Sequence, residues 1–410
     1  MAVPPKMPDR LPDADRLLRR PVSDLLDTLN GDGAEARVIG GAVRNHLLGL
    51  PPGDIDIATT LVPDEVSRRT EARGWKAVPT GVDHGTVTVV IDHFPIEVTT
   101  LRADVETDGR RAVVAFGGTW ESDAERRDFT MNALSVGLDG RLYDPAGGYG
   151  DLMAGRVRFI GDPERRIRED YLRILRFFRF HARFAKREAD RDGLSAVIRL
   201  RHGLMTLSGE RLHQEMLRLL IADGGVDTLR IMAESGILGP VLQGVPRLTR
   251  VARLVEIEAA LGADRDPVTR LGALAVEVAE DADRLRRVLK LSNAETERLR
   301  IIGDETRGFA RDVSEQTARV LLYRLGPQSY RDVLRIAWAG LGIAQDAPRW
   351  RNLDQLSNAW EVPVFPLKGR DLIAAGVPVG PEVSRTLARL EAEWIASDFA
   401  LTEDQLASRI

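Results

Sequence analysis

Short apolar runs alternate with turn residues through the first hundred positions of the chain. Runs of this kind, bounded by Gly, Pro, Asn and Asp, are typical of β-strands. The predicted strands are residues 37–39, 54–58, 86–91 and 96–100. The predicted helices are residues 23–29, with Ser23 as cap, 42–49, and 63–73, with Pro63 in the first turn. This alternation predicts a small α/β head with a mixed sheet.

The pattern changes after Pro163, where apolar positions follow a helical period almost to the end of the chain. The sequence therefore predicts an α+β fold, with a small mixed-sheet head followed by an all-helical neck, body and tail. The predicted divisions are an arm (1–22), a head (23–155), a neck (156–225), and a body with tail (226–410). Four prolines and many charges in residues 1–20 predict a loosely ordered arm.

One polar, charged and glycine-bearing stretch interrupts the head at residues 103–122. Long loops inside compact domains are usually functional. We therefore expect a long mobile loop here with a role in the activity.

Composition limits the classes of function. The net charge of −4, from 62 acidic and 58 basic residues, means that any nucleic-acid surface must be a local patch. The absence of cysteine excludes disulfides, thiolate metal sites and a cysteine nucleophile, and it suits a cytoplasmic protein. No signal-peptide core and no run of 18 apolar residues is present, so no membrane span is expected. Nothing in the sequence indicates the oligomeric state.

The strongest chemical pattern is Gly40-Gly41 followed, after twelve residues, by Asp54-Ile55-Asp56. Two glycines permit a tight turn and close approach of the backbone to a ligand, and a helix start directs amides toward it. Asp54 and Asp56 are two apart on a predicted strand, so both carboxylates should face one side. Each motif alone is more often structural. Together they predict a phosphoryl-transfer site that uses two Mg²⁺ ions, with Asp54 and Asp56 as metal ligands.

Glu97 is the candidate for a third catalytic carboxylate. Its neighbours in the predicted strand are apolar, and a buried acid is costly unless it is paired or metal-bound. The alternative is that Glu97 pairs with a nearby arginine.

Residues 165–187 contain nine basic and two acidic side chains, a local charge of +7. On a helical wheel one arc is apolar, and it consists of Tyr171, Ile174, Leu175, Phe178, Ala182 and Ala185. The opposite side carries Arg173, Arg176, Arg179 and Arg183. A solvated charged face is the usual fate of a basic helix. The density of arginine here favours binding of phosphates and base edges instead.

Four segments, in this order, carry a resemblance to a known family. They are the Gly40-to-Asp56 pattern, residues 126–133 (RRDFTMNA), residues 169–176 (EDYLRILR) and residues 208–212 (SGERL). The chain resembles the DNA polymerase beta superfamily over about residues 36–220. In particular it is similar to class II CCA-adding tRNA nucleotidyltransferases and their relatives, the bacterial poly(A) polymerases.

The resemblance implies roles for several residues. Gly41 and Arg44 would bind the triphosphate, and Arg127 would contact the triphosphate or the sugar. Asn132 would position the ribose, although a hydrogen bond within its own helical turn is an equal alternative. The family motif usually ends in Asp where this chain has Asn45, which we expect to support the turn rather than a metal.

The resemblance also assigns the basic segment. Asp170 and Arg173 would act as an amino-acid template that pairs with the incoming base and selects C or A. Arg176 and Arg179 would contact phosphates or the primer end. Glu169 is expected to brace an arginine rather than to contact a base.

The implied activity is template-independent, Mg²⁺-dependent transfer of CMP and AMP from CTP and ATP to the 3′ end of tRNA. A poly(A) polymerase or a partial enzyme adding only CC or A is the alternative. An inactive RNA-binding relative is a third hypothesis, and a small-molecule nucleotidyltransferase ranks lowest. The loop at 103–122 favours the complete CCA enzyme, because such a loop is thought to help the change from C to A. That residues 226–410 bind tRNA is implied by the resemblance alone.

Overall fold

The computed structural model describes residues 6–81, 85–104, 114–186, 188–309 and 311–410. The chain forms two compact units. The first comprises the described residues of Met1–Leu207 and Ala222–Pro240, and the second comprises those of Ser208–Ile221 and Val241–Ile410. Every strand within the described residues belongs to the first unit, and the second unit is helical. The predicted α+β fold with a mixed-sheet head is confirmed. The four-part division by function stays a prediction.

The first unit contains a seven-stranded mixed sheet and a separate two-stranded sheet. The strands are β1 (Ala36–Ile39), β2 (Asp56–Thr59), β3 (Lys76–Gly81), β4 (Thr86–Ile91), β5 (Phe94–Thr100), β6 (Arg102–Asp104), β7 (Val114–Phe116), β8 (Ser135–Gly137) and β9 (Leu142–Tyr143). The sheet order is β3-β4-β5-β2-β1-β8-β9. The β2–β5 pair is parallel and the other neighbours are antiparallel.

The register of the central strands places the key positions side by side. Ile39, the last residue of β1, is opposite Asp56, and Asp56 is opposite Glu97 on β5. The Gly40 turn therefore begins next to Asp56, at the end of β1. All four strands expected from the sequence are present, although β2 begins at Asp56, so Asp54 precedes it. Strand β3, which contains a proline, and the very short β8 and β9 were not predicted from the sequence.

The first three helices of the first unit contact strands of the sheet, and the helices from Pro163 onward form a helical segment. They are α1 (Val22–Leu29), α2 (Gly41–Leu47), α3 (Pro63–Glu71), α4 (Trp120–Glu125), α5 (Gly148–Ala154), α6 (Pro163–Glu169), α7 (Arg173–Phe184), α8 (Arg191–Leu200) and α10 (Gly225–Glu234). Helix α3 shows why local sequence suffices for such elements. Pro63 occupies its first position, acidic residues fill its first turn, and Val66 and Thr70 are buried.

From Asp9 onward the N-terminal arm is not loosely ordered, which corrects the expectation from its composition. The Leu11 N–H donates to the Gly140 carbonyl, and the Leu142 N–H donates to the Asp9 carbonyl. Leu11 and Leu17 are both buried. Backbone pairing and two apolar anchors thus hold the segment, despite its prolines. The expected Ser23 cap is also wrong, because α1 begins at Val22 with Pro21 at its cap position.

The stretch predicted as one loop, residues 103–122, is structured at both ends. Strand β6 pairs with β7 in an antiparallel register that sets Asp104 opposite Val114. Helix α4 then begins at Trp120, capped by the Thr119 hydroxyl. The intervening residues 105–113 lie outside the described part of the chain. The expectation of a loop is therefore wrong for the two ends of this stretch.

Helix α7 carries the basic segment, and it packs more deeply than a two-sided wheel predicts. Tyr171 and Ala185 lie outside the helix. The arginine side also holds three buried phenylalanines, which are Phe177, Phe180 and Phe184. The Phe180 ring lies 5.0 Å from the Phe129 ring, so this side of α7 packs against the segment that follows α4. Because the side is not a solvated face, only Arg183 of its four arginines is exposed.

The second unit is built from helices with its own apolar core. Its helices include α9 (Gly209–Leu220), α12 (Leu248–Leu261), α13 (Pro267–Ala275), α14 (Ala279–Leu289), α15 (Asn293–Glu305), α16 (Glu315–Leu341), α17 (Pro348–Ala359), α18 (Gly369–Ala374), α19 (Pro381–Ala396) and α20 (Glu403–Ala407). The short α11 (Leu238–Leu242) lies at the division between the units. Helix α16 is broken at Gly326, which has a φ of 74°. Among the described residues, no helix has the length and apolar character needed to cross a membrane.

Candidate active site

The turn after β1 has the geometry that the glycine pair predicts. Gly40 has a φ of 70°, a conformation that L side chains rarely adopt, and α2 begins at Gly41. A Cβ atom at Gly40 would lie 3.3 Å from Nη1 of Arg127 and 3.6 Å from the Asn132 carbonyl oxygen. The glycine therefore serves both the turn and the close packing of Arg127 against it.

Asp54, Asp56 and Glu97 are brought close together, as expected. Asp54 is exposed and Asp56 is half-buried. Burial, followed by the charges of Glu97 and Asp54, raises the pKa of Asp56 to about 6, although the nearby Arg127 opposes the shift. Negative charges thus crowd the start of β2 and the neighbouring position on β5.

The argument that Glu97 is a buried acid is wrong. Glu97 is exposed, whereas Ile96 and Val98 on either side of it are buried. Alternation along β5 places the carboxylate on the other face of the strand from the apolar core. Its proximity to Asp56 therefore comes from strand register and not from a need to satisfy a buried charge.

Asp54 and Asp56 fit a divalent cation. They supply hard oxygen ligands, and because burial and the charges of Glu97 and Asp54 raise the pKa of Asp56, a bound cation would favour its ionised form. In the described part of the chain, no group of three or more His, Cys, Asp or Glu side chains is arranged to hold a metal ion. Mg²⁺ is usually bound by one or two carboxylates with water and substrate phosphates, so two acids are sufficient. A ligand role for Glu97 stays a prediction.

Arg44, on α2, is a buried cation held in a fixed orientation. Its Nη1 donates to Asn132 Oδ1 at 2.5 Å, and its Nη2 donates to Asn45 Oδ1 at 2.9 Å. The guanidinium lies 4.4 Å from the centre of the Phe184 ring. Burial, followed by the charges of Arg183 and others, lowers the pKa of Arg44 to about 10. It stays charged at neutral pH, and an anionic ligand would relieve the repulsion among these cations.

Asn45 links Arg44 to the loop that carries the first aspartate. Its Nδ2 donates to the carbonyl oxygens of Pro51 and Pro52, at 3.1 and 3.3 Å. Asp54 follows two residues later. The expectation that Asn45 supports the turn agrees with these contacts. An amide suits the position, because one end accepts from the arginine while the other donates to the loop.

Arg127 is positioned by Asp123, a residue that the sequence did not single out. The Arg127 Nη2 donates to Asp123 Oδ2 at 2.9 Å, and Arg126 also pairs with this carboxylate. Burial would raise the pKa of Asp123, but the charges of Arg127 and Arg126 outweigh it and lower the pKa. The available signal was an acid three and four residues before two arginines, a spacing that brings the side chains together in a helical turn.

Asp128 is the second functional residue that the sequence left without a role. Its Oδ1 accepts from Asn132 Nδ2 at 2.8 Å, and its Oδ2 accepts from Arg176 Nε at 2.7 Å. Asn132 was predicted either to position the ribose or to form a hydrogen bond within its own helical turn, and neither alternative describes its contacts fully. Its amide donates to Asp128 within the same turn, and its oxygen accepts from the distant Arg44.

The residues predicted to select the base lie where α6 ends and α7 begins. Asp170 Oδ1 accepts from the Leu172 N–H at 3.1 Å. Arg173 donates to Glu169 Oε2 at 2.7 Å and to the carbonyl oxygens of Arg166 and Arg126. Glu169 braces an arginine, as expected. Arg173 joins α6 and α7 to the segment before Arg127. The residues predicted to select the base therefore adjoin a residue predicted to contact the triphosphate or the sugar.

Of the remaining candidates, Arg176 and Arg179 lie on the Arg44 side of α7. Arg176 pairs with Asp128. In addition to burial, the charges of Arg179 and Arg176 lower the pKa of Arg44. The Arg179 guanidinium lies 4.6 Å from the centre of the Phe180 ring. Basic side chains thus lie near an acidic pair, which suits a nucleoside triphosphate with a divalent cation.

Comparison with known families agrees with this arrangement. Residues 36–158 match the model of the poly A polymerase head domain. Residues 190–249 match the model described as the probable RNA and SrmB-binding site of polymerase A. The first match covers the sheet and both site segments up to Asn132.

Known relatives extend over nearly the whole chain. The mitochondrial CCA tRNA nucleotidyltransferase 1 of Mus musculus is 33% identical over 97% of this chain and 92% of its own length. The CCA-adding enzyme of Geobacillus stearothermophilus is 31% identical over 91% of each chain. The crystal structure of the Bacillus stearothermophilus CCA-adding enzyme in complex with CTP superposes with a TM-score of 0.76 at 26% identity, covering 96% of each chain. The Thermotoga maritima CCA-adding enzyme complexed with tRNA has a TM-score of 0.70 at 20% identity over 97% of each chain, which shows a common fold. The chain therefore belongs to the CCA tRNA nucleotidyltransferase family, as the four sequence segments predict.

Proposed function

We propose that this protein builds or repairs the CCA end of tRNA, transferring CMP twice and AMP once from CTP and ATP to the tRNA 3′ end. One observation carries the proposal. The acidic pair Asp54 and Asp56 lies where β2 begins, beside the Gly40 turn, in a chain that matches CCA-adding relatives over more than nine-tenths of its length. An inactive relative would have no need to keep this acidic pair.

In this mechanism the chain binds and orients the triphosphate. The Gly41 amide and the guanidinium groups of Arg44 and Arg127 would contact its phosphates. The 3′-hydroxyl oxygen of the tRNA forms a bond to the α-phosphorus as the bond to pyrophosphate breaks, and the hydroxyl proton leaves to solvent. The carboxylates of Asp54 and Asp56 would hold Mg²⁺. When two such ions are bound, one would lower the pKa of the attacking hydroxyl and the other would neutralise charge on the leaving pyrophosphate.

The choice of base is assigned to the start of α7. Asp170 and Arg173 would pair with the Watson–Crick edge of the incoming base, and a bidentate pair of this type discriminates by about 1–3 kcal/mol. Arg176 and Arg179 would contact phosphates or the primer end. Residues 226–410 would bind the body of the tRNA. The absence of cysteine from the sequence supports a reducing compartment, and we propose the cytoplasm.

The test is to incubate the purified chain with a tRNA transcript lacking CCA, together with Mg²⁺, CTP and ATP, and to sequence the 3′ ends. We expect C, C and A to be added and extension to stop. Long A tails with ATP alone would identify a poly(A) polymerase, and addition of only CC or A a partial enzyme.

The matched pair for this assay is Asp54→Ala and Asp64→Ala. Asp54 is exposed, so its loss should leave the fold and tRNA binding nearly intact while abolishing transfer. Asp64 is an exposed acid in the first turn of α3, and its replacement should leave transfer intact. Measurable transfer by Asp54→Ala would refute the metal assignment. Loss of transfer in both variants would show that the effect is not specific to Asp54.

A further inference from the structure

A continuous series of hydrogen bonds, partly buried at Arg176 and buried beyond it, leads from helix α7 to Arg44. The Arg176 Nε donates to Asp128 Oδ2 at 2.7 Å, and Asn132 Nδ2 donates to Asp128 Oδ1 at 2.8 Å. The Arg44 Nη1 then donates to Asn132 Oδ1 at 2.5 Å. Asp128, Asn132 and Arg44 are each less than a tenth exposed. The side chain that would bind the triphosphate is thus connected to a helix 130 residues further along the chain.

The series can be assembled in only one way. Arginine has no acceptor, so Arg44 must face the oxygen of Asn132, and the amide nitrogen must then face Asp128. The reversed amide would direct N–H groups at Arg44 and set its oxygen against a carboxylate. Two repulsions would replace two hydrogen bonds. The charge on Asp128 therefore fixes the orientation of Asn132, which in turn holds Nη1 of Arg44, while Asn45 holds Nε and Nη2.

Asp128 has little capacity left for a substrate. One carboxylate oxygen accepts from Asn132 and from the Phe129 N–H, and the other accepts from two nitrogens of Arg176. Burial would raise the pKa of this acid, but the charge of Arg176 and the hydrogen bonds lower it, so the group is a fixed anion. Any influence of Asp128 on the bound nucleotide has to pass through the side chains that it holds.

We propose that Asp128 and Asn132 are positioning residues, which orient the Arg44 guanidinium toward the triphosphate from helix α7. The proposal rests on the proposed function, because it takes Arg44 as a triphosphate ligand. It adds that triphosphate affinity is set from the helix whose first residue, Arg173, is assigned to base selection. A loss at Asp128 should therefore resemble a loss at Arg44, although Asp128 touches no phosphate.

The test measures dissociation constants for CTP, CMP and dCTP, with Mg²⁺ and without RNA, so that no turnover occurs. The variants are Arg44→Lys, Asp128→Asn and the double variant. We expect Arg44→Lys and Asp128→Asn each to weaken CTP binding about tenfold or more while CMP changes less than about twofold. In the Arg44→Lys background, Asp128→Asn should add less than about twofold, because both act through one group.

Asn132→Asp is the second variant, should Asp128→Asn fail to fold. It keeps an acceptor for Arg44 but sets a carboxylate against Asp128, so it should lose CTP affinity in the same way. Asp151→Asn is the matched control. Asp151 is a buried acid of the same unit, paired with Arg158 and Thr130, and it makes no contact with this series. Its replacement should leave the ratio of CTP to CMP affinity unchanged.

Three results would overturn the proposal. Additive losses in the double variant would show that Asp128 acts independently of Arg44. Equal losses of CTP and CMP, together with a lost preference for CTP over dCTP, would show that Asp128 contacts the sugar. An Arg44→Lys variant with normal CTP affinity would remove the role of Arg44 itself. Failure of the proposed function is recognised separately, by the absence of transfer to tRNA in the unaltered protein.

Discussion

Asp56 shows how far a single residue depends on its neighbours. A carboxyl group on a solvated strand end would be ionised well below neutral pH. Here burial and the charges of Glu97 and Asp54 raise its pKa to about 6. Since the native pKa is above that of the unfolded chain, the native state binds the extra proton, and stability falls as pH rises between the two values. The acidic pair is therefore a local cost to the fold in the absence of a cation.

The first prediction concerns this cost. In protein freed of metal with EDTA, Asp56→Asn should raise the free energy of unfolding at pH 8 by about 1 kcal/mol. A two-unit shift has an upper limit of about 3 kcal/mol, which partial exposure reduces. The gain should be smaller at pH 5, where the native carboxyl is largely protonated. Thermal melts at both pH values test this, and an equal gain at both would contradict it. Transfer activity should be lost.

The second prediction concerns Asp170. Asp170→Ala should reduce discrimination of CTP and ATP against GTP and UTP by about tenfold or more, while total nucleotide affinity falls less. Misincorporation by single-nucleotide extension of tRNA measures the effect. Asp162→Ala is the matched control, because Asp162 caps α6 through the Arg165 N–H. It should cost about 1 kcal/mol of stability and leave selectivity unchanged. Unaltered selectivity in Asp170→Ala would refute the template role.

At the scale of elements, the segment between β5 and α4 is anchored at its ends by side-chain contacts, and its middle lies outside the described residues. Phe116 packs where a Cβ of Gly85 would meet it at 2.6 Å. Trp120 stacks on Arg37 at 3.9 Å and donates its Nε1–H to Glu35 at 2.8 Å. Because these contacts anchor the end of the segment, its two strands can be kept while the intervening residues are changed.

The third prediction uses this geometry. Asp104 and Val114 are paired, so replacing residues 105–113 with Asn-Gly should close a two-residue hairpin without disturbing either strand. We expect both C additions to continue and the terminal A addition to fall by about tenfold or more, as a role in the change of specificity requires. Sequencing of tRNA 3′ ends after each addition measures this. Replacing the same nine residues with Gly and Ser keeps the length of the segment but removes its charge, so the two properties are tested separately. Equal loss of C and A addition would contradict the switching role.

Helix α7 illustrates how packing changes the meaning of a pattern. Its arginines were expected to line one free face opposite an apolar arc. Three phenylalanines share their side and pack against the segment around Phe129, so all of these arginines except Arg183 are half-buried. A basic helix of this kind presents oriented donors rather than mobile surface charges, which suits recognition of phosphates.

At the scale of the whole molecule, the two compact units each carry a buried ionic group of different purpose. In the first unit, Asp128 pairs with Arg176 beside the residues proposed to bind the nucleotide. In the second, Glu258 on α12 pairs with Arg270 on α13 at 2.6 Å, and both are almost fully buried. Arg270 also donates to the Leu220 carbonyl at the end of α9. This pair therefore joins three helices of the second unit.

The fourth prediction tests that junction. Arg270→Leu should destabilise the second unit by about 3–5 kcal/mol, because Glu258 would stay buried without its partner. The double variant with Glu258→Leu should recover most of the loss. Urea unfolding followed by circular dichroism measures the effect, with one transition fitted for each unit. Arg300→Leu, which breaks the exposed pair with Asp283, should change stability by less than about 1 kcal/mol. Equal effects of Arg270→Leu and Arg300→Leu would contradict the junction.

Local chemistry could be predicted from the chain alone. The turn at Gly40, the pair Asp54 and Asp56, and the α+β division need only the spacing of residues along a strand, a turn or a helix. The resemblance rests on the same short segments, and comparison with relatives confirms the family. These inferences succeed because each motif is complete within about 20 residues, so its chemistry does not depend on how distant parts of the chain meet.

Tertiary structure decided what depends on distant partners. The face of β5 that carries Glu97 became clear only when the sheet showed which side is covered. The ordered arm depends on backbone partners near Gly140 and Leu142. Arg176 and Asp128 are 48 positions apart, and Asn132 and Arg44 are 88 apart. No local period reports such pairs, because a buried charge chooses its partner by position in space, and that position is set by the packing of the whole unit.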